Sequence, residues 1–483
     1  MTARRVAILG YGMAGARLAE DIRRLDPRGE RVGLTILGDE PHPAYNRVLL
    51  STVLAGSLDA RAVQLHDEQW AERFAVDLRL GSTVTGIDRA ARKLGLADGS
   101  TVDYDALVLA TGSRAWVPPI EGLRGEDGEL APGVHTFRTL DDCARILDGV
   151  RPGAPVAVLG GGLLGLEAAR GLVGRGSLVT VVHPSNHLME RQLDPGASRV
   201  LADMLRRAGI EFRLGVAATR YLPGDGLKLA DGGHVPADLL VVSTGVRAET
   251  GLAEAAGLTC DKGILVDDAL RTSDPRIHAI GDCAQHPGTV SGLVAPAWEQ
   301  AAVVAALLTG ADPAARYQGT NIVTRLKARD IDLAALGEAH TESDDLDVEV
   351  VKVEDRTRGR YAKLVVRDDK VAGAILFGVP DAAAAITQLY DRGVPLPADR
   401  LALLLGRALP DGAPPATSVG DLPGGALICR CNSVSKGKLV TAWRDGARDV
   451  PALARATRAT TGCGGCKDAV GDLVDWLNAA EPG

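Results

Sequence analysis

Short apolar runs that end in glycine recur along the chain and predict an α/β fold. Residues 5–9 form an apolar run of strand length, which is followed by a glycine-rich loop and by a predicted helix over residues 16–25. Residues 155–159 begin a second unit with the same order of strand, loop and helix. Near-continuous apolar strands are buried on both faces, so both units predict a parallel sheet covered by helices.

Other patterns predict different structures towards the C-terminus. Residues 363–366 and 371–376 are apolar and flank a charged turn, which predicts a β-hairpin. Apolar residues between 470 and 477 repeat at helical spacing and predict a helix over residues 467–479. Residues 411–425 are rich in proline and glycine, which predicts a linker between the hairpin region and the last helix.

The first glycine loop has the spacing of a dinucleotide-binding loop. Gly10 permits a tight turn, Gly12 lets the backbone approach a pyrophosphate, and Gly15 lets the helix pack closely. The next predicted strand, residues 33–37, ends shortly before Glu40, which lies 25 residues after Gly15. We expect a carboxylate at that place to bind a ribose hydroxyl.

The second glycine loop predicts a second dinucleotide site. Gly160, Gly162 and Gly165 repeat the spacing, and two such units in one chain imply two bound dinucleotides. His183 ends the following predicted strand, 18 residues after Gly165, at the place where an acid would hold the adenine ribose. A histidine neither repels a 2′-phosphate as a carboxylate does nor clamps it as an arginine does.

Four of the seven cysteines stand in two tight pairs near the end of the chain. Cys429 and Cys431 form a C-x-C pair, and Cys463 and Cys466 form a C-x-x-C pair after a gap of 31 residues. Thiolates at such spacing hold zinc or an iron–sulfur cluster, and a C-x-C pair is tight for zinc. The helix predicted after Cys466 favours an anionic cluster near its N-terminus. A structural zinc site and two disulfides are the alternatives.

Composition and charge exclude several classes of function. The formal net charge is −8 and only 3% of the residues are aromatic, which leaves neither a basic footprint nor stacking platforms for nucleic acid. No apolar run approaches the roughly 18 residues of a membrane helix. The chain leads straight into a strand without a signal-peptide pattern. We therefore expect no nucleic-acid partner, no membrane association and a cytoplasmic location, which also suits clustered cysteines.

The cysteine pattern resembles the bacterioferritin-associated-ferredoxin type of [2Fe–2S] domain. That family has C-x-C, about thirty residues and then C-x-x-C, and the residues that directly follow Cys431 are also similar to it. The resemblance implies a [2Fe–2S] cluster bound by four thiolates: Cys429, Cys431, Cys463 and Cys466.

The rest of the chain resembles the flavoprotein reductases related to rubredoxin and putidaredoxin reductase, within the pyridine nucleotide-disulfide reductase superfamily. The resemblance is carried by residues 40–51, by the Ala-Thr-Gly turn at 110–112, by the Gly-Asp pair at 281–282 and by residues 294–300. It implies FAD at the first loop and NAD(P)H at the second. For FAD it implies contacts from Arg47, Val84, Thr111, Gly112, Asp282, Glu299 and Gln300.

The resemblance also bears on the nicotinamide site. It implies that Glu167 lies near the nicotinamide. NADH is favoured over NADPH because no basic residue directly follows His183, although Arg191 is close enough in sequence to reach a phosphate. No general-base pair is expected, so no catalytic residue is assigned.

Together these patterns predict an α/β protein with two Rossmann-like dinucleotide-binding domains of the pyridine nucleotide-disulfide oxidoreductase type, an α+β interface domain and a small helical [2Fe–2S] domain. The predicted FAD-binding domain comprises residues 1–118 and 247–313, and the NAD(P)H-binding domain comprises residues 119–246. The predicted remainder is an interface domain at 314–405, a linker at 406–425 and the cluster domain at 426–483.

The predicted function is electron transfer from NAD(P)H through FAD and the cluster to a separate acceptor protein. The whole chain resembles the N-terminal half of NAD(P)H nitrite reductase, but its other three cysteines are too scattered for the sirohaem and [4Fe–4S] module. The favoured hypothesis is the electron-transfer subunit of an assimilatory nitrate reductase, whose catalytic subunit is the acceptor. The alternatives are the reductase part of a split nitrite reductase with a separate sirohaem subunit, a general ferredoxin- or rubredoxin-type reductase, and an iron–sulfur redox sensor. A homodimer is compatible with each.

Overall fold

The computed structural model describes residues 3–328, 331–342, 347–406, 419–429, 432, 434–460 and 466–481. Cys431, Cys463 and residues 407–418 of the predicted linker lie outside these ranges.

The chain begins with the first part of a Rossmann-like unit. Its helices are α1 (Met13–Leu25), α2 (Leu50–Leu54) and α3 (Trp70–Arg73). Its strands are β1 (Arg4–Leu9), β2 (Val32–Leu37), β3 (Val76–Arg79), β4 (Val84–Asp88), β5 (Lys93–Leu96), β6 (Thr101–Asp103), β7 (Ala106–Leu109) and β8 (Ser113–Ala115). The predicted strand, loop and helix at residues 5–25 are confirmed by β1 and α1.

A second Rossmann-like unit is inserted at this point. Its helices are α4 (Leu140–Gly149), α5 (Leu163–Gly174) and α6 (Pro195–Arg207). Its strands are β9 (Val134–Thr136), β10 (Pro155–Leu159), β11 (Leu178–His183), β12 (Ile210–Leu214), β13 (Ala218–Leu222), β14 (Gly226–Leu229), β15 (His234–Pro236), β16 (Leu239–Val242) and β17 (Val246–Ala248). The main sheet is parallel, in the order β12-β11-β10-β16-β9, and β17 returns antiparallel to β8.

The chain then completes the first unit. The elements of this part are α7 (Gly251–Ala255), β18 (Ile264–Leu265), β19 (Ile277–Ala279), β20 (Ala284–Gln285) and α8 (Val294–Thr309). Strand β19 joins the edge of the first sheet, which is parallel in the order β19-β7-β1-β2-β3. Because the carboxyl ends of β1, β7 and β19 meet at one edge, Gly10, Gly112 and Asp282 come together there although they are distant in sequence.

An antiparallel sheet with two helices follows. Its elements are β21 (Val323–Ala328), β22 (Ile331–Gly337), β23 (Glu349–Asp355), β24 (Arg360–Arg367), β25 (Lys370–Phe377), α9 (Pro380–Arg392) and α10 (Arg400–Leu404). The sheet order is β21-β22-β25-β24-β23, and β24 and β25 form the predicted hairpin. The buried Lys363 of β24 lies 3.4 Å from the Asp194 carboxylate at the N-cap of α6, which joins this sheet to the second unit.

The described part of the C-terminal region is mostly helical. It contains β26 (Leu427–Cys429), β27 (Val434–Ser435), α11 (Lys436–Arg444), α12 (Val450–Thr457) and α13 (Lys467–Ala480). The helix predicted over residues 467–479 is confirmed by α13. The apolar side chains of these helices share one core with Trp298 and Ala297 of α8, so this domain packs on the first unit.

The architecture is the predicted α/β fold with an interface domain and a small helical domain. The predicted domain boundaries stay predictions. Among the described helices, none combines the length and the apolar character that a membrane crossing requires.

Candidate functional site

The first glycine loop begins at the carboxyl end of β1 and leads into α1. Gly10 has a φ of +108°, and a Cβ there would lie 2.2 Å from the carbonyl oxygen of Ala110. A Cβ at Gly15 would lie 2.0 Å from the carbonyl oxygen of Gly10. Gly12 is the N-cap of α1, and its nearest neighbour is the Arg47 side chain, 3.8 Å from the Cβ position. Gly10 and Gly15 are therefore required by packing, whereas Gly12 leaves space for a pyrophosphate at a helix N-terminus.

A cleft of about 2340 Å³ opens beside this loop. Small-molecule sites usually occupy about 300–1,000 Å³, so this cleft has room for an extended dinucleotide. Its walls come from both Rossmann-like units, the interface domain and the cluster domain. The predicted site residues that line it are Gly10, Gly12, Glu40, Arg47, Val84, Thr111, Gly112, Glu167, Asp282, Glu299 and Cys466.

Glu40 lies in a polar group beside the glycine loop. Its Oε2 accepts a hydrogen bond from the Tyr45 hydroxyl at 2.7 Å, and its Oε1 pairs with the Arg47 guanidinium. Arg47 also lies over the Tyr45 ring, 4.9 Å from the centroid, and donates to the carbonyl oxygen of Arg138 at 3.3 Å. Burial raises the pKa of Tyr45, so its hydroxyl stays protonated and donates. The carboxylate predicted to bind a ribose is therefore oriented by two donors.

Asp282, which the family resemblance implies as an FAD contact, lies just beyond β19. Its Oδ2 accepts a hydrogen bond from Ser113 Oγ at 2.9 Å and from Arg138 Nη2 at 2.6 Å. Arg138 Nη2 also lies 2.6 Å from Ser113 Oγ. Arg138 precedes α4 of the inserted unit, so this cluster joins the two units at the cleft.

Three further predicted residues line the cleft: Val84, Thr111 and Gly112. Val84 is the first residue of β4 and is buried. Thr111 Oγ1 donates to the carbonyl oxygen of Glu249 at 2.8 Å, and Gly112 has a φ of +72°. Only glycine adopts that conformation without strain, so Gly112 lets the chain turn from β7 towards the inserted unit.

Glu299 and Gln300 are neighbours on α8 but have different surroundings. Glu299 lines the cleft, and its Oε2 accepts a hydrogen bond from Thr320 Oγ1 at 2.5 Å. Burial raises the pKa of the Glu299 carboxyl group. Gln300 is buried, and its Oε1 accepts a hydrogen bond from the backbone N–H of Gly281 at 2.7 Å. Gln300 therefore fixes the backbone beside Asp282, whereas Glu299 presents an acid to the cleft.

The second glycine loop repeats the geometry of the first. Gly160 has a φ of +122°, and a Cβ there would lie 2.2 Å from the carbonyl oxygen of Ser243. A Cβ at Gly165 would lie 2.2 Å from the carbonyl oxygen of Gly160. Gly162 is the N-cap of α5, and no described atom outside its chain neighbours lies within 4 Å of its Cβ position. Glu167 follows on α5 and is buried at 8% exposure on the wall of the large cleft.

His183 is the last residue of β11 and is buried. Its ring lies 2.8 Å from the position of a Cβ at Gly161, directly against the second glycine loop. Its Nε2 lies 2.9 Å from Oε2 of Glu190, a residue that sequence reasoning did not select. The histidine is therefore a packed and paired residue at the predicted ribose position.

Two of the four predicted cluster ligands fall within the described residues. Cys429 ends β26, Cys466 is the N-cap of α13, and both thiols are buried in the same hydrophobic core. Cys466 also lines the large cleft. Cys431 and Cys463 lie outside the described residues.

The three remaining cysteines differ in their burial. Cys143 and Cys283 are buried, and burial raises the pKa of Cys143 to about 11. Cys260 is partly buried in the turn that bridges to β18, where it packs against the core of the first unit.

The described residues fit the implied cofactors. Space at Gly12 and Gly162, each at a helix N-terminus, suits two pyrophosphates, and the cleft has room for a flavin dinucleotide. The two described thiols suit an iron–sulfur cluster, because buried thiolates are its usual ligands. Arg138 and Glu190 could not be selected from the sequence. Each reaches its site because the chain folds back there, and the neighbouring residues show no pattern that would indicate this. Tyr45 lies inside the recognised segment 40–51 and Ser113 directly follows the recognised turn at 110–112, so their hydroxyl groups were the available signal.

Comparison with known families gives matches along most of the chain. Residues 4–301 match the pyridine nucleotide-disulphide oxidoreductase family, and residues 323–393 match the rubredoxin NAD+ reductase C-terminal domain. Residues 427–476 match the BFD-like [2Fe-2S] binding domain.

Relatives and solved structures agree with these matches. The chain is 35% identical over 487 residues to the assimilatory nitrate reductase electron transfer subunit of Bacillus subtilis (strain 168), covering 100% of this chain and 61% of that protein. It is 35% identical over 481 residues to the nitrite reductase [NAD(P)H] of the same organism, covering 98% of this chain and 58% of that protein. The chain thus spans about three fifths of each relative.

Among solved structures, the covalent putidaredoxin reductase–putidaredoxin complex has a TM-score of 0.74 at 27% identity, covering 86% of this chain and 97% of that one. A ferredoxin reductase from Rhodopseudomonas palustris has a TM-score of 0.71 at 30% identity, covering 81% of this chain and 96% of that one. The family resemblances and the fold class predicted from the sequence are confirmed. The chain belongs to the pyridine nucleotide-disulphide oxidoreductase family, as an oxidoreductase with FAD and NAD(P)H as cofactors and a BFD-like [2Fe–2S] domain.

Proposed function

We propose that the protein passes electrons from NAD(P)H through FAD and a [2Fe–2S] cluster to a separate acceptor protein, the catalytic subunit of an assimilatory nitrate reductase. The relative named as an electron transfer subunit of assimilatory nitrate reductase aligns along the whole chain, which supports this choice of acceptor. Bound FAD would supply acceptance of a hydride and release of single electrons, and a bound [2Fe–2S] cluster would supply a one-electron acceptor.

The observation that carries the proposal is the shared cleft. Gly12 of the first loop, Glu167 of the second unit and Cys466 of the cluster domain line the same cavity. Residues expected to hold all three redox groups therefore border one space within a single chain. Such an arrangement favours transfer between the groups over separate functions for each domain.

Contacts between the cluster domain and the first unit support the same arrangement. Arg17 of α1 donates to Asn432 Oδ1 at 3.2 Å, and Glu20 of α1 pairs with Arg458. The Trp298 side chain packs in the core of the cluster domain. We name Arg17, Glu20, Trp298, Asn432 and Arg458 the docking contacts.

The chain's own residues would bind, orient and shield the cofactors. Arg47 and Arg138 place two guanidinium groups at the cleft, opposite the carboxylates of Glu40 and Asp282. The N-terminus of α8 borders the cleft, and its dipole stabilises negative charge that develops nearby. Partial desolvation raises the pKa of the Glu299 carboxyl group at this wall.

The test uses purified protein loaded with flavin and iron–sulfur cluster under anaerobic conditions. Addition of NADH should bleach both chromophores, and addition of an assimilatory nitrate reductase catalytic subunit with nitrate should then produce nitrite. In a Cys466→Ala variant, the rate of nitrite formation should fall by at least about 100-fold. The reduction of ferricyanide by NADH should be kept, because the substitution damages only the cluster site and leaves the flavin site intact. Cys260→Ala is the matched control, since Cys260 does not line the described cleft.

Each alternative gives a different outcome. Electron delivery to a sirohaem subunit with nitrite, but not to the nitrate reductase subunit, would favour a split nitrite reductase. Delivery to ferredoxin or rubredoxin alone would favour a general reductase. A cluster that stays oxidised under NADH would contradict the proposal and favour the redox sensor.

A further inference from the structure

The segment after β11 folds back over the second glycine loop. Met189 has a φ of +51°, and its backbone N–H donates to the carbonyl oxygen of Gly161 at 3.0 Å. The Leu188 side chain lies 2.9 Å from the position of a Cβ at Gly161. The backbone N–H of Leu188 donates to Ser198 Oγ at 2.7 Å, which ties the segment to α6. Residues 188–190 therefore lie directly beside the loop that is expected to bind the nicotinamide dinucleotide.

This return places the Glu190 carboxylate at the end of β11. Glu190 Oε2 lies 2.9 Å from Nε2 of His183. His183 is 6% exposed and packs against Gly161, so its ring is fixed on the glycine loop. The Glu190 side chain remains 39% exposed, so a ligand can reach it.

We propose that Glu190, positioned by His183, accepts hydrogen bonds from the adenine ribose and makes this unit select NADH over NADPH. In dinucleotide-binding folds, a carboxylate at the end of the second strand accepts a hydrogen bond from the ribose 2′-hydroxyl. The same negative charge repels a 2′-phosphate, which is how such sites reject NADPH. The strand itself ends in a histidine, and Glu190 supplies the missing carboxylate from seven residues further along the chain.

His183 acts here as a positioning residue. Its Nε2 holds the Glu190 carboxylate, and its ring fills the space above Gly161 that a larger residue in the loop would occupy. Arg191 is the competing group, because an exposed guanidinium next to this site would favour a 2′-phosphate. Glu190 and Arg191 therefore predict opposite preferences, and separate substitutions distinguish them.

The experiment measures dissociation constants of NAD+ and NADP+ by calorimetric titration of the flavin-loaded full-length protein. The wild-type protein is expected to bind NAD+ at least about tenfold more tightly than NADP+. Glu190→Gln keeps an oxygen acceptor and removes the charge. Its NADP+ affinity should therefore rise at least about fivefold relative to NAD+, while its NAD+ affinity changes by less than about threefold.

Two further variants separate positioning from folding. His183→Phe keeps a ring over Gly161 and removes the donor, so the affinity ratio should move in the same direction by a smaller factor. Glu211→Gln is the matched control, because Glu211 is exposed and pairs with Thr180 on β11, three positions before His183. It should leave the ratio unchanged. If Glu190→Gln does not fold, the ratio of NAD+ to NADP+ affinity in the wild-type protein and in His183→Phe tests whether Glu190 sets the preference.

Several results would overturn the assignment. One is equal binding of NAD+ and NADP+ by the wild-type protein, and another is an unchanged ratio in Glu190→Gln. A third is a ratio that shifts in Arg191→Gln and not in Glu190→Gln. The inference rests on the proposed function only in requiring that the second unit binds a nicotinamide dinucleotide. Binding of neither nucleotide would overturn that function as well, whereas binding of both without discrimination would overturn this inference alone.

Discussion

Removal of the negative charge on Glu20 is expected to loosen the cluster domain from the first Rossmann-like unit. The Glu20 carboxylate on α1 pairs with the guanidinium of Arg458, and the two side chains are only 15% and 23% exposed. Glu20 Oε1 also lies 2.6 Å from Nε2 of His66. The variant Glu20→Gln keeps the shape of the side chain and an oxygen that can accept from His66, so it tests the charge alone.

The size of the effect follows from the burial of the pair. Neutralising one partner of a fully buried pair costs roughly 3–5 kcal/mol, whereas an exposed pair contributes about 1 kcal/mol or less. The Glu20–Arg458 pair lies between these cases, and glutamine retains a neutral hydrogen bond. We therefore expect a loss of about 2 kcal/mol of docking free energy, which raises the undocked population by roughly 30-fold.

Hydrogen exchange of backbone amides measures that population. Residues 458–460 follow α12 at the docking contacts, and Ala459 is fully buried there. When closing is faster than exchange, the exchange rate of such amides is proportional to the open fraction. Peptides that cover residues 458–460 should therefore exchange up to roughly 30-fold faster in Glu20→Gln than in the wild-type protein.

The control is an exposed pair inside the cluster domain. Glu481 pairs with Arg444, and their side chains are 45% and 59% exposed, so Glu481→Gln should change the exchange of residues 458–460 very little. Arg458→Gln should resemble Glu20→Gln, and the double variant should add little to either one. Equal exchange in Glu20→Gln and Glu481→Gln, or simple addition of the two single effects, would refute a role for this pair in docking.

Three further predictions concern stability and reactivity. Burial lowers the pKa of His278 to about 4, whereas an unfolded histidine titrates near 6.5, so protons favour unfolding between these values. The free energy of unfolding, measured in urea, should thus have its full value above about pH 6.5 and fall by up to about 3 kcal/mol towards pH 4. The variant His278→Asn should reduce this dependence on pH. Cys143, whose pKa is raised to about 11 by burial, should resist iodoacetamide at pH 8 in the native protein and react in urea, as mass spectrometry would show. Gly10→Ala should lower the free energy of unfolding, measured in urea, by more than about 3 kcal/mol, because its Cβ would lie 2.2 Å from the Ala110 oxygen. Gly99→Ala, with a φ of +83° and no described atom within 4 Å, should cost about 1 kcal/mol.

The elements that the sequence predicted well are those with a local cause. Strand β10 spans the predicted residues 155–159, because apolar continuity and the glycine that follows are written into neighbouring positions. Gly10 and Gly160 could be selected for the same reason, since each turn needs a positive φ that other residues rarely adopt. The helix after Cys466 follows from periodicity alone.

The site residues that escaped prediction depend on distant partners. Arg138 meets Asp282 across 144 positions, and its own neighbours carry no sign of that contact. Glu190 lies only seven residues from His183, but the two meet because the chain turns back over Gly161, which periodicity does not report. Hydrophobic patterns specify which face of an element is buried and leave open which element covers it.

These distant contacts have a common consequence for the cleft. Arg138 joins the inserted unit to Asp282, and Arg458 joins the cluster domain to Glu20, so the walls of the cleft are assembled from domains held by paired charges. A partly buried ion pair is costly when only one partner is present, which penalises structures in which one domain is absent or displaced. The assembled arrangement is therefore favoured as a whole, and the redox groups are expected to meet only when all the domains are in place. This physical dependence of each domain on the others is what the proposed electron relay along a single chain requires.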